Sequence, residues 1–540
     1  MRAPKRPSAK RWYVRPLFAA LLPLALINAV RILYGGIELG IVDQILGYSL
    51  TLFVCCMCCH GELARLRPAP AQLTFFFLIV SAGGALGGVF VALLAPMIFA
   101  GPYEFHILLV ACYVLMVVVQ LPSLLQSGLP ESKNRILSTL SGLCWMLALA
   151  VIVLGAFYSF TSEPWYHYGA SSHLRTTFEA WQTSMLWLSP FVALAFLLVL
   201  EIWRRKRQES LADWWSSGPG VVRLAVCLSL TLGLFALSGG MRWQILEEER
   251  RMVERDRNFY GVLAIKQRAP GSGGAELSLT HGRIRHGQQL SEHLGWPTAY
   301  YRPKSGVGVA SRFHPARADA SRQFRVGVVG LGVGTMAAYA NTRIDPELTD
   351  DDYVLPRRDA IPDYLRFYEL NPLVVEWAHN QFTFLGDAAS RGADIDVFLG
   401  DARIVLEGQL RRDEAQRFDL LAIDAFSSDA IPIHLLTEES FKIYVGHLQR
   451  DGILALHVTN RYVDLIPVVA RLAKAVGMNA IYIENYADDD RSVESSDWIL
   501  LTNNQAFLDT VAMYEDEEPM PPPGPLWTDD FSSVYEIIEF

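Results

Sequence analysis

Four groups of residues in the C-terminal half of the sequence carry types and spacings that could do chemistry together. Gly330, Gly332 and Gly334 stand in Gly-Leu-Gly-Val-Gly-Thr, directly after the apolar run 325–329. Glycines at a strand-to-helix turn permit a tight backbone and let a ligand approach the main chain. A dinucleotide fingerprint would carry its third glycine one residue later, where Thr335 stands. The turn therefore reads toward S-adenosylmethionine-type nucleosides rather than a nicotinamide cofactor. A tight turn with no ligand is the alternative. Glu369 ends the next apolar run, where a carboxylate can accept both ribose hydroxyls. Asp401, in Gly-Asp-Ala-Arg, ends the third and could contact an adenine. Either acid could instead cap a helix. Three such features at three successive strand ends favour a site, because ligands of open α/β sheets bind at those ends.

Asp424 follows the fourth run, in Ile-Asp-Ala-Phe-Ser-Ser-Asp-Ala-Ile-Pro. With Asp429 it offers two carboxylates that could bind an amine and accept its proton during attack on a sulfonium-activated carbon. Asp429 and Ser428 could equally do no more than shape a turn.

The elements that must position these residues can be read around them. Apolar runs near 325–330, 364–370, 395–399, 418–423, 452–458, 480–484 and 498–502 alternate with helical patterns at 336–340, 372–380, 402–410, 437–448 and 465–476. Such alternation predicts a parallel, doubly wound sheet, a Rossmann-like domain of class I methyltransferase type over 323–512. The stretch 341–363 is long for a connection and reads as an inserted loop. Short β-like runs at 261–266, 276–279 and 298–301 predict a small β domain over 258–322. The charged stretch 242–257 reads as a juxtamembrane helix or linker. The acidic, Pro-rich tail 513–540 reads as extended and exposed.

The N-terminal part, 1–241, is of another kind. The chain is 51% hydrophobic and 19% charged, an average over two unlike halves. A spanning helix needs ~20 apolar residues. The runs 71–103, 105–121, 136–162, 180–200 and 224–240 carry no charge, or almost none, and 17–34 and 39–59 are weaker because of Arg31 and Asp43. About seven spans follow, giving a multi-span α-helical membrane domain. A signal peptide is the competing reading of the first run, and the absence of a convincing small-residue cleavage site favours a retained helix. Basic loops place the N-terminus inside. Seven spans would then put the C-terminal domain outside, where a cytosolic nucleoside is not expected, so either one early run is not a full span or the ligand differs. Small residues at 81–88 suit close helix packing. The Cys55–Cys59 cluster is not read as a metal site, since adjacent cysteines on a helix diverge. A net charge of -9 argues against a nucleic-acid partner.

The run 424–437, the His-Gly-Arg-Ile-Arg-His-Gly element at 281–287 and Pro-Thr-Ala-Tyr-Tyr at 297–301 resemble the spermidine synthase (aminopropyltransferase) family. The resemblance is closer still to bacterial proteins that fuse membrane helices to such a domain, and the run 82–93 fits that group too. It implies that Gly330, Gly332, Gly334, Glu369 and Asp401 hold decarboxylated S-adenosylmethionine or S-adenosylmethionine. It implies that Asp424 is the base that frees an attacking amine, with no metal. It places Asp429, Tyr300, Tyr301 and Arg285 on the substrate side. An integral protein of a bacterial inner membrane, in contact with the lipid bilayer and possible as a homodimer, is implied, with the soluble domain expected in the cytoplasm.

Two departures bear on the substrate. The family's glycine turn carries an acid that binds the amine of the aminopropyl group, and here Val333 stands in its place. The family's Asp-Gly and following Gln correspond to His281 and Arg285. A cation there would repel a polyamine. A methyltransferase acting on a membrane-associated substrate, and a ligand-binding sensor or transporter, are the other readings.

Overall fold

The structure, a computed structural model, describes residues 13, 15–35, 39–126, 241, 245, 249–271, 274–282, 284–343, 355–356, 361–426, 431–486, 494–514 and 520–538. The chain divides into two units, Met1–Arg250 and Arg251–Phe540.

The first unit holds helices α1 (Arg15–Gly35), α2 (Ile41–Arg65), α3 (Leu73–Val89) and α4 (Tyr103–Gln126). After α3 the backbone passes through a π-helical turn, Phe90–Leu94, into Ala95–Ile98. Pro96 lies just beyond and has no N–H to return to the preceding turn, which favours such a slip. α1 and α2 approach closely at Gly47, where a Cβ would fall 2.2 Å from Ile32 Cδ1. Thr51 Oγ1 donates to the Ala25 carbonyl at 3.0 Å across the same contact.

Two helices among the described residues are long and apolar enough to cross a membrane, Ile41–Arg65 and Pro70–Ile98. The apolar stretch of α1 is shorter, Leu21–Leu33, as is that of α4, Tyr103–Met116. The runs 136–162, 180–200 and 224–240 lie outside the described residues. At Gly83, Gly84, Gly87 and Gly88, read as a packing stripe, an added Cβ would meet no neighbouring element within 4 Å among the described residues.

The second unit begins with a four-stranded antiparallel meander, β1 (Met252–Asn258), β2 (Gly261–Gly271), β3 (Gly274–His281) and β4 (Ile284–Leu290). Strand β1 takes the last six residues of the stretch 242–257, while Ile245 and Glu249 before it are helical, as expected. It is an edge strand with a single ladder partner; Glu254 and Asp256 are exposed and Arg255 and Arg257 half-buried, charges of the kind that blunt an edge. The stretch 298–301 is not a strand: Ala299–Tyr301 forms a 3-10 turn that buries Tyr300 and Tyr301. Helix α5 (Gly306–Phe313) follows.

The main sheet has seven strands: β5 (Arg325–Val329), β6 (Tyr364–Glu369), β7 (Asp394–Leu399), β8 (Phe418–Ile423), β9 (Leu448–His457), β10 (Asn479–Asn485) and β11 (Ser496–Thr502). Their spatial order is β10-β11-β9-β8-β5-β6-β7, and only β11 runs antiparallel to its neighbours. This mixed, mainly parallel sheet fits a Rossmann-like fold, with the order reversing beside β5. Helices α6 (Pro372–Asn380), α7 (Phe384–Ser390), α8 (Ala402–Arg411), α9 (Glu438–His447), α10 (Ile466–Ala475) and α11 (Gln505–Tyr514) connect or follow the strands. Val326, Val328, Leu420 and Ala422 enter one apolar cluster; Val329, Leu421, Ile423 and Leu456 enter another. Apolar side chains in both directions are what a sheet covered on two faces requires.

Two further expectations differ from the structure. The glycine turn opens not an α-helix but a short 3-10 helix, Thr335–Tyr339, wholly buried. The C-terminal tail is not simply exposed. Trp527 is 2% exposed and joins the cluster around β8. Its carbonyl accepts the Glu438 N–H at 2.9 Å, and the Ile537 carbonyl accepts the Asp464 N–H at 2.8 Å. Asp529 accepts from Arg403 Nη1 at 2.7 Å. Two apolar anchors in a polar segment are enough to fasten it. Trp527→Ala should therefore lower the stability of the full-length protein by about 3–5 kcal/mol, read as a lower melting temperature. An unchanged transition would show that the tail is not fastened.

Candidate functional site

Strand register assembles the site. Val329 pairs with Tyr368 and with Ile423, and Glu369 pairs with Leu399. The residues just past these positions, Gly330, Gly400 with Asp401, and Asp424, thus share one edge with Glu369. They line a cavity of about 360 Å³, within the usual size of small-molecule sites.

Gly330 sits at φ +97°, and a Cβ on it would fall 2.2 Å from the Asp424 carbonyl oxygen. Gly332 sits at φ +54°, with its Cβ position 2.5 Å from the His286 carbonyl oxygen. Only glycine allows both contacts, so the turn presents backbone alone to the cavity. Gly334, at φ +83°, does not line the cavity and packs its open side toward Leu385.

Glu369 holds this turn in place. Its Oε2 accepts the Leu331 N–H at 3.0 Å and its Oε1 accepts the Asn371 N–H at 2.7 Å. Burial pushes its carboxyl above the ordinary value, against these bonds. Asp401 caps a helix, the alternative weighed for it, and also faces the cavity. Its Oδ1 caps α8 by accepting the Ile404 N–H at 3.0 Å, while it lines the cavity and its Oδ2 lies 3.0 Å from His434 Nε2.

Asp424 is held from two sides. Its Oδ2 accepts the Tyr301 hydroxyl and its Oδ1 lies 2.7 Å from His457 Nδ1. The Asp424 and His457 side chains are each 6% exposed. The His457 ring stacks on Trp498, with centroids 4.7 Å apart and 11° between planes, and lies 4.5 Å from Tyr300. Burial, then the Asp424 charge, raises both tyrosines well above their ordinary value, so Tyr301 stays a phenol that donates. Tyr300 lines the cavity; Tyr301 touches it only through Asp424.

The small sheet supplies more lining: Leu263, Leu279, His281 and His286. Burial, reinforced by His281, pushes His286 down to about 4. Burial also lowers His281. At neutral pH both are uncharged imidazoles, and His286 Nε2 is buried without a partner.

Three expectations about the substrate side change. Arg285 does not line the cavity; it is paired with Glu276 at 2.9 Å and with Glu494 at 2.8 Å, which neutralises it. Val333 is 1% exposed and packs against Gly287, whose Cβ position lies 2.6 Å from Val333 Cγ2. The turn therefore offers no side chain of position 333 to the cavity. Asp429 lies outside the described residues. Sequence reasoning overlooked His286, His434 and His457. His457 ends a strand beside Asp424, so the strand-end rule that found the acids would have found it too.

No family profile matches the chain, and no curated protein matches it. Among solved structures it is similar to a spermidine synthase from Thermotoga maritima, at 14% identity and a TM-score of 0.30, over 52% of this chain and 82% of that one. It is similar to a spermidine synthase in complex with the transition state analogue AdoDATO, at 13% identity and 0.29, over 52% and 82%. A probable spermidine synthase from Corynebacterium glutamicum matches at 14% and 0.30, over 46% and 79%.

The lowered His286 makes a stability prediction. Unfolded, this imidazole takes a proton near 6.5; folded, only near 4. Between those values the folded state binds fewer protons, so the contribution is complete above about 6.5 and lost as pH falls toward 4, by up to about 1.4 kcal/mol per pH unit. Glu369, raised by burial, tilts stability the other way above its ordinary 4.5. The difference in unfolding free energy between wild type and His286→Asn isolates the histidine. It should shrink steadily from pH 6.5 to 4.5, and a pH-independent difference would contradict the assignment.

Proposed function

We propose that the second unit binds decarboxylated S-adenosylmethionine and transfers its aminopropyl group to an amine, with Asp424 as the base. The observation that carries this reading is the packing of the glycine turn on the Asp424 main chain, which sets a backbone-only turn and a buried carboxylate in the lining of one cavity. A Cβ at Gly330 or Gly332 would strike the Asp424 or His286 carbonyl and force the turn to shift, so the turn offers a ligand its main chain only, which suits a nucleoside.

Glu369 and Asp401, at the ends of β6 and β7, would take the ribose and adenine. Each has one backbone N–H or imidazole bond per oxygen and keeps a further lone pair on each. The nucleoside supplies a methylene carbon made electrophilic by its sulfonium, where displacement by the amine would release methylthioadenosine. Asp424 would accept the proton that the attacking amine sheds. Tyr301 and His457 would hold its carboxylate in one orientation while that proton arrives, which is the positioning a general base needs.

A second reading keeps the nucleoside and changes the transferred group. Val333 is turned into the core, so no acid of the glycine turn is offered to an aminopropyl ammonium. That favours S-adenosylmethionine-dependent methyl transfer to a membrane-associated substrate. In both readings the first unit is a multi-span anchor, and the apolar surfaces of Ile41–Arg65 and Pro70–Ile98 support its contact with lipid.

Full-length protein should bind 5′-methylthioadenosine, and Glu369→Ala should weaken that binding at least about tenfold in calorimetry, a loss of one or two buried hydrogen bonds. Asp424→Asn should keep nucleoside binding and lower turnover by about 10²–10⁴-fold. Mass spectrometry of the products separates the readings: methylthioadenosine marks aminopropyl transfer and S-adenosylhomocysteine marks methylation. Absence of any nucleoside binding by the wild type would sink both.

A further inference from the structure

Three segments distant in sequence meet at Arg403, the second residue of α8, the helix that Asp401 caps. Its Nη1 donates to the His434 carbonyl at 2.7 Å and to Asp529 Oδ1 at 2.7 Å, and its Nη2 donates to Asp529 Oδ2. Two-point pairing of a guanidinium with a carboxylate fixes orientation as well as distance. The Arg403 side chain is 14% exposed, so its charge is largely withdrawn from water and rests on Asp529. Asp529 is held from its other side too. Thr437, buried and the N-cap of α9, donates its hydroxyl to Asp529 Oδ1 at 2.9 Å. The Asp529 N–H donates to Glu439 Oε2 at 3.0 Å, and the Glu438 N–H donates to the Trp527 carbonyl at 2.9 Å. An isolated surface ion pair stabilises little, but a bidentate pair inside such a network is the exception.

The network ends at the cavity. The 3-10 turn Ile433–Leu435 leads into the capped start of α9. Its His434 and Leu435 line the cavity, as do Asp401 and Ala402 where α8 begins. His434 Nε2 lies 3.0 Å from Asp401 Oδ2 along that wall. The His434 carbonyl is held by Arg403, and Arg403 is held by Asp529, 126 residues further along the chain. We propose that Asp529 is a positioning residue of the nucleoside site: it fixes Arg403, and through Arg403 the turn that sets His434 against Asp401. This rests on the nucleoside reading of the cavity. Coupling between two sites is reciprocal. A tail that steadies the wall beside the base is itself steadied, by the same factor, when the nucleoside binds.

The test uses full-length protein in detergent micelles, with 5′-methylthioadenosine as the probe. Calorimetry compares the wild type with Asp529→Asn, which keeps the shape and removes the charge, and with Asp530→Asn, which alters the exposed carboxylate next to it. Asp529→Asn should weaken binding at least about fivefold, and Asp530→Asn should stay within about twofold of the wild type. Hydrogen exchange of the wild type reads the coupling in reverse: saturating nucleoside should slow the Asp529 amide at least about fivefold. A tail with a merely structural role would not respond to the ligand. Wild-type affinity in Asp529→Asn overturns the proposal, and so does a tail amide indifferent to the nucleoside. Should Asp529→Asn fail to fold, the wild-type exchange decides alone. Should the wild type bind no nucleoside, the nucleoside reading falls, and exchange without ligand decides whether Asp529 positions the turn. The Leu436 amide, bonded to the Ile433 carbonyl at 2.8 Å, should then exchange at least about fivefold faster in Asp529→Asn, and an unchanged rate overturns the positioning role.

Discussion

The close approach of Gly330 to Asp424 is the contact on which the rest of the second unit depends. Strands β5 and β8 lie side by side, and the Asp424 N–H donates to the Val329 carbonyl at 2.9 Å. The chain leaving β5 must therefore turn over the chain leaving β8 with no room for a side chain. A positive φ at Gly330 makes that turn, and its N–H donates to Tyr368 on the opposite neighbour, β6, at 2.9 Å. The turn is thus pinned between two strands by main-chain bonds, and Glu369 pins it again through the Leu331 N–H. A side chain at 330 would pry the strand ends apart and disperse the acids they carry.

The cavity's electrostatics follow from how its acids are already used. Glu369 accepts two backbone N–H groups, Asp401 caps a helix and meets His434, and Asp424 is bracketed by Tyr301 and His457. Each charge is fixed in place before any ligand arrives, so little reorganisation is left for binding. The neighbouring imidazole of His286 is kept neutral by burial. The result is a cavity with anchored negative charge at the strand edge and uncharged, largely apolar surface from the small sheet.

The first unit holds two helices long and apolar enough to cross a membrane. Phe75, Phe77, Leu78, Leu86 and Met97 lie exposed along the Pro70–Ile98 helix. An apolar surface of this length matches the thickness of a bilayer's hydrocarbon core. Asn28 and Thr51, by contrast, bond backbone carbonyls between α1 and α2, satisfying their polar groups within the helix pair.

The sequence by itself determined the parts of the site that depend on local rules. The glycine turn, Glu369, Asp401 and Asp424 were legible because each stands at the end of an apolar run, and parallel strands deliver their ends to one edge. The alternation of strands and helices likewise determined the Rossmann-like class. Tertiary structure alone decided the contacts made across long separations. Strand register set His457 beside Asp424, because Ile423 pairs with Leu456 and the next residues stand level. The packing of the small sheet turned Val333 toward Gly287 and tied Arg285 to Glu276 and Glu494, so neither meets the cavity. Composition could not reveal that Trp527 fastens a polar tail, since the cluster that receives it is assembled from β8 and the helices around it. Periodicity reports which way a side chain leaves its own element, and only the assembled fold decides what it meets there.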